Sequence, residues 1–83
     1  MSILDVLTGN IFVRRDGSSA KRAVIVSSVA EEYALIKHRY PGHRPVKQDL
    51  QQLDGKAYDV IEIGNASGER RTLFFDVSSF FCQ

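Results

Sequence analysis

The chain has one cysteine, no tryptophan, two prolines and almost no excess of either charge across its 83 residues. Each shortage excludes something. A lone Cys82 cannot close a disulfide within the chain, so a reducing compartment, the cytoplasm, is the expected location. No apolar stretch approaches the roughly 20 residues that a membrane-spanning helix needs. Asp5 interrupts the opening residues, which also lack a positive leader, and this argues against a signal peptide. With 43% hydrophobic residues and a net charge of +1, the chain is neither disordered nor collagenous. It carries no Gly-x-x-x-x-Gly-Lys phosphate loop and no Gly-x-Gly-x-x-Gly turn, so no cofactor is expected.

What is present fits one small domain spanning residues 1–83. So short a chain has little core to spare, and good packing or burial against a second copy is the usual remedy. The charges are unevenly placed. Residues 1–47 hold eight Lys/Arg against four Asp/Glu, whereas residues 48–83 hold three against six. Basic and acidic halves can attract each other within a monomer or between subunits. This balance is weaker support for a nucleic-acid partner, which usually demands a larger positive excess.

A helix over residues 28–40 is the clearest local signal. Ser28-Val29-Ala30-Glu31 reads as a capping box, with Glu31 and Glu32 in the first turn and Lys37, His38 and Arg39 in the last. Val29, Tyr33, Ile36 and Tyr40 recur at helical spacing, and Pro41-Gly42 stops the run. Downstream, Asp54-Gly55 and residues 64–68 are turns that separate strands near 45–53, 57–63 and 70–77. The pattern predicts an α+β fold: one helix packed on a three-stranded antiparallel meander. Val29, Tyr33 and Ile36 should meet Ile61, Ile63, Leu73, Phe75 and Val77. Residues 1–27 admit three readings: a hairpin about Asp16-Gly17, a short helix over 2–7 with a linker, or a helix running into Ser28.

Few residues point to chemistry. His38 and His43 flank a tight turn, but a metal wants a third ligand and the neighbouring cations oppose one. The same cluster, Lys37, His38, Arg39, His43, Arg44 and Lys47, is a candidate anion or nucleic-acid site. Asp76, Ser78 and Ser79 supply nucleophile-type residues without a recognisable motif, and turn capping explains them better. Asp59 and Glu62 fall on opposite strand faces, which argues against an acid–base pair between them. No catalytic residue or metal ligand can be assigned, and the sequence argues against an enzyme.

Tyr40-Pro41-Gly42, Tyr58-Asp59-Val60-Ile61 and Phe75-Asp76-Val77-Ser78-Ser79-Phe80-Phe81 together resemble short bacterial proteins of the integron gene-cassette type. The resemblance covers residues 28–82. It implies a small bacterial α+β domain and carries no activity or site residues with it. Cys82 stands where that pattern usually has glycine.

The expected function is a non-catalytic protein-interaction or homo-oligomeric module, with a symmetric dimer as its simplest form and a further protein partner as the variant. Tyr58, Val60 and Phe74 face away from the helix and Phe80-Phe81 follows the last strand. Exposed together, they would form an apolar self-association surface. Coverage of that face by residues 1–27 is the alternative.

Overall fold

The computed structural model describes residues 15–81. A 3-10 turn at Ala20–Arg22 leads into β1 (Val24–Ile25), and the main helix α1 (Val29–Arg39) follows. Three strands come next, β2 (Arg44–Leu53), β3 (Lys56–Gly64) and β4 (Arg70–Asp76), and a final turn of helix α2 (Ser78–Phe81) ends the described chain. The described strands form one mixed sheet in the order β1-β4-β3-β2. The fold is therefore α+β, with the expected antiparallel meander enlarged by a fourth, parallel strand. α1 carries the chain from one edge of the sheet to the other.

That fourth strand decides against one of the three readings of the first 27 residues. Val24 and Ile25 pair with Phe75 and Asp76 in parallel, and Val26 N–H continues the ladder to the Asp76 carbonyl at 3.1 Å. Gly17 extends the same edge, its carbonyl accepting from Phe74 N–H at 2.7 Å. The extended strand and the cap at Ser28 exclude a helix running through to that residue. The proposed hairpin partner around residues 11–13 and the short helix over 2–7 lie outside the described residues.

Local chemistry explains the remaining elements. Ser28 is extended, and its hydroxyl accepts from Glu31 N–H at 3.1 Å. Glu31 in return accepts from Ser27 N–H at 2.7 Å, one residue earlier than a standard capping box. At the β2–β3 hairpin, Asp54 (φ 52°) and Gly55 (φ 78°) both adopt the left-handed conformation that suits a two-residue turn between twisted strands. Asn65 organises the next loop, its side-chain oxygen accepting from Ser67 and Glu69 N–H at 3.1 and 3.0 Å.

The core lies between α1 and one sheet face. Ile36 packs with Val26, Ala57, Ile61, Ile63, Leu73, Phe75 and Val77, with Leu35 and Tyr40 at the margin. All five residues expected beneath the helix belong to this buried cluster with Ile36. Val29 and Tyr33 do not join them. They are 47% and 39% exposed, while Glu32 is completely buried. The helix is rotated so that Glu32 and Ile36, one turn apart, form its inner line. Held there with another carboxyl group beneath it, this acidic side chain is pushed toward its neutral form.

Candidate functional site

Alternation along β3 puts Ala57, Asp59, Ile61 and Ile63 on the core face. Asp59 is buried there, and Glu32 descends onto it from α1. Among the described residues no donor reaches either Glu32 oxygen. That arrangement suits a protonated acid that donates its own hydrogen, not a carboxylate that collects them. Burial pushes the Glu32 carboxyl up to about 8, reinforced by its hydrogen bond to Asp59 and by repulsion from that neighbour. Asp59 Oδ2 also accepts from Gln48 Nε2 at 2.7 Å, and Gln48 Oε1 accepts from Tyr33 Oη at 3.1 Å. A polar chain thus runs from the surface at Tyr33 to a sealed acid pair. Sealing limits its chemistry: Glu32 has no exposed surface for a substrate to reach.

The sequence hid this pair because each acid alone argues for solvent exposure. Two signals were nonetheless available. Glu32 precedes Ile36 by four residues and so shares its helix face, and Asp59 alternates in phase with Ile61 and Ile63.

The basic cluster is split by the fold. Lys37, His38 and Arg39 are exposed on the last turn of α1, and Arg44 and Lys47 lie on β2. His43 is half-buried, its ring edge-on to Tyr40 at 5.9 Å between centroids, with a buried Nδ1 that has no partner among the described residues. Two cations that the sequence reading left out join them. Arg71 lies over the Tyr40 ring, 5.1 Å from its centroid, and Arg70 Nε pairs with Glu62 at 3.5 Å. Tyr40, His43, Glu69, Arg70 and Arg71 line an open groove of about 390 Å³. Only the strand register could have revealed this convergence, since Arg44 and Arg70 are opposite neighbours of Gly64.

The apolar surface is also redistributed. Tyr58 is buried at 8% exposure, and Val60 and Phe74 are half-buried. Phe80 and Phe81 are exposed on α2. The serines beside them serve the backbone. Ser78 Oγ accepts from Ala57 N–H at 3.0 Å, Ser79 Oγ donates to the Val26 carbonyl at 3.1 Å, and Asp76 caps Ser78 N–H at 3.0 Å. Further apolar exposure follows β2 and the adjacent side of α1, at Val46, Leu50, Leu53, Val29 and Tyr33.

No group of three or more His, Cys, Asp or Glu side chains able to hold a metal occurs among the described residues. No described helix is long and apolar enough to cross a membrane. Comparison with known proteins gives no match to a family model, a curated protein or a solved structure.

Proposed function

We propose that the protein is a non-catalytic, self-associating module in which two copies pair antiparallel along the edge of β2 that no described strand covers. One observation carries the reading: a ten-residue strand, with Leu50 42% exposed, lies at the sheet edge with no described strand beyond it. Such an edge is a template for another strand unless it is guarded. Its first half has guards, namely Pro45, Lys47 and a bulge between them. Residues 48–53 have no lysine, proline or bulge, and Asp49 is their only charge.

Register follows from the side chains. Gln48, Leu50 and Gln52 share the helix face, because they stand opposite Ile61, Asp59 and Ala57. Tyr33, hydrogen-bonded to Gln48, flanks this edge with further exposed ring surface. A two-fold axis through Leu50 sets Leu50 against its copy, Gln48 against Gln52 and Asp49 against Gln51. A shift of the axis to Asp49 would oppose two aspartates, which is unfavourable. The sealed acid pair supports a structural role for the helix–sheet interface, since nothing outside can react there.

Sedimentation equilibrium tests the proposal. The expected mass is about twice 9.3 kDa. Leu50→Lys should reduce it to the monomer, while Phe80→Glu should leave the dimer in place. A single species of 9.3 kDa over the whole accessible concentration range would overturn it.

A further inference from the structure

We propose that the end of the open sheet face holds a phosphate group, gripped by the guanidinium groups of Arg44 and Arg70 across the bare backbone of Gly64. This goes beyond self-association and rests on different residues. Arg44, Gly64 and Arg70 form one cross-strand row, so their side-chain positions share the face opposite α1. Gly64 is the middle member, and its missing side chain is what opens the site. A Cβ built there would collide with the Arg70 guanidinium, so that group lies directly over the glycine, directed across β3. Glu62 takes the Nε edge of Arg70 at 3.5 Å and steadies it. No acceptor among the described residues engages the Nη groups of Arg70 or the guanidinium of Arg44.

These two cations line a groove of about 250 Å³ whose other walls are Gly42, Val46, Asn65 and Ala66. Arg70 also lines the larger groove with His43 and Arg71, so the two grooves meet at its side chain. Lys47 lies in the next row, opposite Glu62. Two planar donor forks lining one groove, with no side chain on Gly64 between them, suit a tetrahedral oxyanion that accepts from several directions. Glu69 lines the larger groove and Glu62 holds Arg70, so the charge-assisted bonds from the two guanidinium groups have to outweigh the repulsion of these carboxylates. Phosphate is the chemistry shared by a free phosphate compound and a polynucleotide backbone.

The test uses the whole chain at low salt with two probes, inorganic pyrophosphate by calorimetry and a single-stranded oligothymidylate by fluorescence anisotropy. At least one should bind. Arg44→Gln and Arg70→Gln should each weaken that binding about tenfold or more, as expected for loss of charge-assisted hydrogen bonds. Gly64→Ala should weaken it too, because the methyl group displaces the end of a flexible side chain without removing a charge. Lys56→Gln, at the opposite end of β3, should have no effect, and thermal melts confirm that each variant is folded. Oligothymidylate binding that is far tighter than pyrophosphate binding and falls steeply with salt assigns the phosphate to a polynucleotide. Comparable affinities assign it to a free compound. Failure of both probes to bind, or equal weakening by Lys56→Gln and Arg70→Gln, would overturn the proposal.

Discussion

Glu32 of α1 is buried against Asp59 of β3, and burial together with that neighbouring carboxyl raises the Glu32 carboxyl well above its ordinary range. The helix is turned so that Glu32 points inward with Ile36 while Val29 and Tyr33 stay at the surface.

A pH dependence of stability follows. Glu32 sits near 8 in the folded chain against an ordinary value of 4.5. Between these values the folded state keeps a proton that the unfolded state has released, so rising pH favours unfolding. The contribution of this group is greatest below its unfolded value, declines on the order of a few kcal/mol across the window and levels off above pH 8. Urea unfolding from about pH 5 to about 8 should show the decline. Glu32→Gln, neutral throughout and still able to donate to Asp59, should flatten the curve. A pH-independent wild-type midpoint would contradict a raised Glu32 carboxyl.

Tyr33 and Ile61 should respond very differently to substitution. Tyr33→Phe removes only the hydrogen bond to Gln48 at a partly exposed site, and should cost about 1 kcal/mol. Ile61 is completely buried, and Ile61→Ala should cost about 2–5 kcal/mol. Chemical denaturation of both variants at one pH makes the comparison. Equal losses would place Tyr33 in the core after all.

The start of α1 depends on Ser28. Ser28→Ala leaves Glu31 N–H without its side-chain acceptor and should destabilise the protein by about 1 kcal/mol. Ser28→Asp should retain most of the stability, because its carboxylate can accept the same bond and complements the helix dipole. Urea midpoints report both, and an unchanged midpoint in Ser28→Ala would show that the cap contributes little.

The features legible in the sequence were those that nearby residues decide. Ser28 with Glu31 marks where α1 begins, and Asp54-Gly55 marks the tight hairpin, because each acts within a few residues of itself. The phase of β3 and β4 was readable from Ile61, Ile63, Leu73 and Phe75 for the same reason. The parallel pairing of Val24 with Phe75 joins positions far apart in the chain, and an apolar run of four residues carries no sign of its partner. The acid pair was hidden for a different reason. A burial rule applied to each carboxyl separately rejects it, because a buried acid is disfavoured unless it is held neutral or compensated. The Arg44–Gly64–Arg70 row needs two hairpin registers to be known at once.

Interface variants should sort by location. Leu50→Lys at the outer edge of β2 should abolish self-association with little loss of monomer stability, because Leu50 is substantially exposed. Phe80→Glu and Phe81→Glu should leave association intact. Dissociation caused by the phenylalanine variants but not by Leu50→Lys would move the interface to α2.

The pairing of two β2 edges is tested most directly by isotope-filtered NMR on a mixture of labelled and unlabelled protein. An antiparallel pair centred on Leu50 brings its methyl groups against those of the same residue in the second copy. Intermolecular contacts should therefore appear between Leu50 methyls, together with contacts between the Gln48 and Gln52 side chains. Their absence at concentrations where the protein sediments as a dimer, or contacts located instead at Phe80 and Phe81, would contradict the β2 interface.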